Sequence, residues 1–108
     1  MQIVFDKVGN TLVVKMLGEL DHHSSEHVRH KIDNNISSMG ISNLLFDFSN
    51  VTFMDSSGIG VIIGRYKNIT EHGGNVGILN MNKNIKKVFE LAGILNLIKE
   101  YESIEEFR

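Results

Sequence analysis

Residues 43–48, Asn-Leu-Leu-Phe-Asp-Phe, make a run of strand length that is apolar at nearly every position. A strand with one wet face alternates apolar and polar residues, because successive side chains point to opposite faces. A run without that alternation suits a strand covered on both faces, as in a parallel sheet flanked by helices. The next segment fits the same frame. Phe-Met-Asp-Ser-Ser-Gly-Ile-Gly, 53–60, passes from apolar residues through an acid, two hydroxyls and a glycine into a helical pattern.

The remaining chain alternates in kind. Residues 2–7 and 11–17 read as strands, with Gly9-Asn10 suited to a tight hairpin turn between them. Further strands are expected at 75–80 and 96–98. In 22–39, Val28, Ile32, Ile36 and Met39 fall on one helical stripe. Asp21 or Ser24 is placed to cap that helix and Gly40 to end it. In 57–72 the stripe is Ile59, Ile62, Ile63, Tyr66 and Ile69, stopped by Gly73-Gly74. In 83–91 it is Ile85, Val88 and Phe89, with Gly93 beyond, and a last short helix is expected over 102–107.

Two strands followed by three helix–strand units predict one α/β domain over 1–108. Its mixed sheet has four to five strands: an antiparallel N-terminal hairpin, then mainly parallel strands joined by right-handed crossovers. Three to four helices cover it. Binding sites in such sheets favour the carboxyl edge of the parallel strands, which is where Ser56 falls.

Composition narrows the function. The 108 residues include no cysteine, which excludes disulfides and thiolate chemistry. The net charge of −2 gives no basic face for direct nucleic-acid binding, and the Lys83, Lys86, Lys87 cluster reads as a solvated face. No apolar run reaches the ~18–20 residues of a membrane span. The N-terminus, Met-Gln-Ile-Val-Phe-Asp-Lys, has no basic-then-apolar leader, so the expected location is cytoplasmic, with no membrane partner.

The Asp-Ser-Ser-Gly turn carries the chemistry. A helix N-terminus presents unpaired N–H groups and partial positive charge. One serine suffices to cap it, so two adjacent serines allow a division of labour. Ser56 is expected to be the outward hydroxyl that accepts a transferred group. Ser57 would support the first turn or face a partner. Gly58, Gly60 and Gly64 each cost the helix up to about 1 kcal/mol relative to alanine. On a helical wheel Gly60, Gly64 and Val61 fall away from the Ile59, Ile63, Tyr66 stripe. Close approach of a partner, or of the domain's own elements, would account for the glycines. A hydrolase reading is weaker, because Gly-x-Ser-x-Gly is absent and no histidine lies in the turn; a general base would have to come from His22, His23 or elsewhere.

Gly18 to His30 holds four of the five histidines. His23 and His27 have the i, i+4 spacing of paired metal ligands, but no third ligand is evident, and a solvated polar face is the simpler reading. Asp21 follows the second strand. If that strand lies beside the third, Asp21 comes near Ser56.

Two stretches together, Gly-Glu-Leu-Asp-His-His at 18–23 and Phe53 to Lys67, closely resemble the anti-sigma factor antagonists, which are single STAS domains, and their sporulation branch above all. Val88 to Ile94 resembles the family's third helix. The resemblance implies a switch and not an enzyme. It places the phosphorylated serine at Ser56. The partner is an anti-sigma factor that is itself a serine kinase and supplies the ATP and magnesium; the chain needs no cofactor or metal of its own. The unmodified antagonist binds that kinase and frees the sigma factor, and a PP2C-type phosphatase removes the phosphate. The expected contact surface is Asp21, Asp55, Ser57, Gly58, Gly60, Val61 and Gly64. Other STAS domains bind nucleotides or build stress-signalling scaffolds, which is the alternative. One departure is Asn80-Met81-Asn82 before the third helix, where the family often has Ser-Pro.

Overall fold

The computed structural model describes residues 1–108. Its elements run β1 (Gln2–Val8), β2 (Thr11–Leu20), α1 (Ser25–Met39), β3 (Asn43–Met54), α2 (Ser56–Glu71), β4 (Val76–Leu79), α3 (Lys83–Leu91), a 3₁₀ turn (Ile94–Asn96), β5 (Lys99–Tyr101) and α4 (Ile104–Phe107). The five strands lie in the sheet in sequence order. β1 is antiparallel to β2, and every later pairing is parallel. The mixed α/β sheet expected from the sequence is therefore present.

The hairpin pairs Val8 with Thr11, leaving Gly9 and Asn10 as the loop. Gly9 takes φ +60° while Asn10 does not turn left-handed, which is the type II′ pattern. Gly40 ends α1 at φ 63°, as its position suggests. At the far end of α2, Gly74 passes so close to the Ser42 carbonyl that a side chain there would collide with it.

β2 and β3 are both longer than their apolar runs. They reach Leu20 and Met54, where the sequence suggests ends at 17 and 48. Two bulges explain the difference. Lys15 pairs with Asp47 but Leu17 with Asn50, and Gly18 pairs with Val51 but Glu19 with Phe53. At each step β3 spends one extra residue, which breaks the period that marks a strand in sequence. The last strand is also shifted: residues 94–96 form a 3₁₀ turn and β5 begins at Lys99.

One core lies between the sheet and α1–α3. Leu12, Val14, Leu44, Phe46, Phe48 and Ile78 meet Val28, Ile32, Ile62, Ile69, Ile85 and Phe89 there. Phe48 and Phe89 pack edge to face at 5.2 Å. On the opposite face α4 covers the end of the sheet. Phe107 lies edge-on to Tyr101 at 5.0 Å and occupies the space above Gly77. β3 is thus covered on both faces along Leu44–Phe48. No helix is long and apolar enough to cross a membrane.

Candidate functional site

β3 extends seven residues past its last pairing with β4, at Asp47, and delivers the Asp-Ser-Ser-Gly turn to the carboxyl edge of the sheet. Asp55 caps α2. Its Oδ1 accepts the Ser57 N–H at 2.9 Å and the Gly58 N–H at 3.2 Å. With the acid as cap, neither serine hydroxyl is needed for that task, and neither makes a hydrogen bond within the chain. Ser57 therefore supports the first turn through its backbone N–H, not its side chain. Ser56, the first helical residue, is exposed.

The second oxygen of Asp55 leaves the helix. Oδ2 accepts the His22 N–H at 3.2 Å, and the Asp55 N–H reaches the Leu20 carbonyl at 3.4 Å. The β2–α1 turn and the β3–α2 turn are thus tied together, and Asp21 stands in the turn joined to the one that carries Ser56, as the strand order suggests. Asp21 has its own structural role. Its Oδ1 accepts the His23 N–H at 3.0 Å and the Ser24 N–H at 3.1 Å. Ser24 returns its hydroxyl to the Glu19 carbonyl at 2.8 Å, so Asp21, not Ser24, satisfies the entry to α1. Partial burial pushes the Asp21 carboxyl up, but the Ser24 and His23 hydrogen bonds outweigh it and hold the group below the usual carboxylate range. Asp21 and Asp55 are therefore acceptors already engaged, and the lowered Asp21 carboxyl keeps negative charge at this edge.

The three glycines divide. Gly58 is buried, and a Cβ there would come within 2.5 Å of the Leu20 carbonyl and 2.6 Å of Met54. Its lack of a side chain serves the domain's own packing. Gly60 and Gly64 have nothing within 4 Å of where a Cβ would sit, so no internal contact requires them. Val61 corrects the wheel. Expected on the face away from the core, it is 5 % exposed and belongs to the core. α2 is rolled by roughly 60° relative to its apolar stripe. The roll brings Gly58 onto β2 and β3 and turns Val61 inward, leaving Val61 only an edge on the surface.

Phe53 carries no signal of its role in the sequence. It stands three residues before Ser56 and is 49 % exposed, paired across β2–β3 with Glu19. The bulge at Thr52 makes it so: Val51 and Met54 both face the core, and the intervening extra residue turns Phe53 outward. On the other side of the edge, Asn82 caps α3. Its Oδ1 accepts the Ile85 N–H at 2.9 Å, and its amide donates to the Val51 carbonyl at 3.2 Å. The cap therefore docks the start of α3, with Lys83, Lys86 and Lys87, against β3. Lys86 is paired with Glu100 at 3.5 Å. His22 and His23 meet edge to face with ring centroids 5.9 Å apart, but no group of three or more His, Asp or Glu side chains is arranged to hold a metal ion.

Comparison with known proteins agrees with this geometry. The STAS domain family matches residues 2–107. The chain is 34% identical over 103 residues to an anti-sigma F factor antagonist of Paenibacillus polymyxa, covering 95% of this chain and 88% of the relative. It is 28% identical over 89 residues to the anti-sigma-B factor antagonist of Bacillus subtilis, covering 82% and 80%. Among solved structures, the anti-sigma factor antagonist SpoIIAA in its unphosphorylated form superposes with a TM-score of 0.84 at 30% identity, over 98% of this chain and 93% of that one. The Bacillus SpoIIAA structure in the phosphorylated form gives 0.75, also at 30% identity, over 98% and 96%. The chain belongs to the STAS domain family, among the anti-sigma factor antagonists.

Proposed function

We propose that this protein is an anti-anti-sigma factor whose Ser56 hydroxyl is the switch. Unmodified, it binds an anti-sigma factor that is also a serine kinase and so frees a sigma factor. Phosphorylated on Ser56, it lets the kinase go. A PP2C-type phosphatase resets it. The observation that carries this reading is the exposed Ser56 hydroxyl, free of any internal hydrogen bond because Asp55 has taken over the cap. Structures of a relative in both phosphorylated and unphosphorylated forms support it.

The chain need only present an acceptor. Ser56 Oγ attacks the γ-phosphorus of ATP in line, its proton passes to a base on the kinase, and ADP leaves. The magnesium ligands and phosphate clamps belong to the kinase. The product carries about −1.5 to −2 charges. At the N-terminus of α2 that charge is tolerated, by about 0.3–1 kcal/mol in its favour, so the fold survives. The docking surface does not. A partner surface fitted to a bare hydroxyl would have to bury the dianion. At an effective dielectric of ~20, each like-charge pair it meets there at 4 Å costs about 4 kcal/mol. Local charge and bulk suffice, with no rearrangement of the domain.

The docking surface in this reading is Ser56, Ser57, Gly60 and Gly64 on α2, Asp21 at the neighbouring turn, and the outward ring of Phe53. Incubation with the kinase and ATP tests it. Ser56→Ala takes up no phosphate yet still binds, and Ser57→Ala is still labelled. Labelling of Ser56→Ala at the wild-type level would contradict the assignment.

A further inference from the structure

Beside the switch, α1 and α2 cross and leave an open groove of about 440 Å³. Ser25, Glu26 and Arg29 line it from α1, and Ser57, Gly60 and Arg65 from α2. Neither arginine takes part in the switch as described above, yet both point into ground continuous with Ser57 and Gly60.

Arg65 is the deeper of the two, its side chain 11% exposed. Its Nε lies 3.0 Å from Asp33 Oδ1, but the two are misaligned, and neither atom has a hydrogen bond of acceptable geometry. Its Nη1 reaches only the Val61 carbonyl, at 3.4 Å. A guanidinium carries five N–H donors, so most of this one's capacity is unused. Arg29 adds a second positive charge close enough to act on Arg65. Arg29 has one acidic partner, Glu26, at 3.7 Å, and that carboxylate is largely in solvent. Two guanidinium groups thus share a groove with one misaligned acid and one loose one. A pair meant only to bind α1 to α2 would form the bidentate fork that arginine and carboxylate favour. Leaving a nearly buried charge short of hydrogen bonds is costly, and the cost is recovered when an anion arrives.

We propose that a carboxylate of the docked kinase, from an Asp or Glu side chain, enters this groove and is held by Arg65 and Arg29. The proposal rests on the kinase-docking reading of the Ser56 surface. A nucleotide is a poorer fit, because Val61 is the only apolar residue lining the groove and nothing there would hold a base. A partner anion also completes the electrostatics of the edge. The groove a few residues along α2 is positive, in contrast to the acidic edge of Glu19, Asp21 and Asp55, and calls for an anion. Opposite signs at two neighbouring points fix the orientation of docking as well as its strength.

The experiment measures affinity of the purified anti-sigma factor kinase for the full chain carrying Arg29→Gln, Arg65→Gln, Arg65→Lys or Ser56→Asp, with thermal melts of each. Arg29 is a surface residue, so Arg29→Gln is expected to melt like wild type and bind about tenfold more weakly, with a shallower salt dependence. Arg65→Lys keeps the charge but not the fork, and is expected to lose affinity by a similar factor. Arg29→Gln and Arg65→Lys both binding within about twofold of wild type, while Ser56→Asp still fails to bind, would overturn the groove proposal alone. Ser56→Asp binding as well as wild type would instead overturn the switch reading on which it rests.

Discussion

Asp55 Oδ2 accepts the backbone N–H of His22 at 3.2 Å, while Oδ1 of the same carboxylate caps α2. One side chain therefore holds the first turn of the switch helix and the turn that carries Asp21. Asp55→Ala removes the cap and that tie. The expected loss is about 1–2 kcal/mol in urea unfolding, with Asp55→Asn recovering much of it. A drop in kinase affinity larger than the loss of stability explains would show that Asp55 sets the relative position of the two turns.

Gly58, Gly60 and Gly64 separate fold from function. Gly58→Ala forces a methyl against the Leu20 carbonyl and Met54, and is expected to destabilise by about 1–3 kcal/mol. Gly60→Ala and Gly64→Ala meet open space, and each is expected to stabilise α2 by up to about 1 kcal/mol. If the surface is a docking face, the same two substitutions weaken kinase binding. A variant more stable in the melt yet poorer in binding is the signature to look for.

Asp47 predicts an acid limb of stability. It is 7 % exposed, and burial alone would push its carboxyl up. Hydrogen bonds from the Ser49 N–H at 2.9 Å and the Asn80 amide at 3.1 Å, with the charge of Lys15, pull it below its ordinary value of 3.8. A group with a depressed folded pKa contributes stability that is fully present above the unfolded value and is lost as pH falls through the folded one. Asp47 should therefore add nothing to the pH dependence between pH 7 and about 5, and stability should fall below about pH 4. Asp47→Asn is expected to flatten that limb in urea unfolding followed from pH 5 to 3.

Phe53 sets an aromatic ring in solvent beside Ser56, where the second β3 bulge turns it outward. Phe53→Ser removes apolar surface that the fold does not bury well, so the melting temperature should change little. Its effect should fall on kinase affinity, by about tenfold if the ring fills a pocket on the partner. Unchanged affinity would remove Phe53 from the docking surface.

Much of this fold was legible because its local signals agree with its packing. Gly9-Asn10, the Val28, Ile32, Ile36 stripe of α1 ending at Gly40 and the apolar run of β3 each state their structure directly, whereas Met39, the last residue of that stripe, is exposed. The site was harder to read. Gly58 sits at the centre of the buried arc of α2 and carries no hydropathy, so the apolar stripe centres too far toward Ile63 and leaves Val61 outside it. The bulges at 48–50 and 52 disguise the second half of β3 and with it the exposure of Phe53. Arg65 and Asp33 meet only through the crossing of α1 and α2, a relationship no single-element pattern contains. The exposure of Ser56 was legible from two adjacent hydroxyls after an apolar strand, but the cap was not: Asp55, not a serine, holds the first turn of α2.

The central claim is that one phosphate on Ser56 decides docking by charge and bulk alone. Its most direct test is the dissociation constant of the kinase for this protein before and after stoichiometric phosphorylation, with the fold of both forms followed by amide NMR. Affinity is expected to be lower by more than about 100-fold for the phosphorylated form, with shifts confined to the two tied turns and the start of α2. Equal affinity, or a loss accompanied by rearrangement across the sheet, would contradict it.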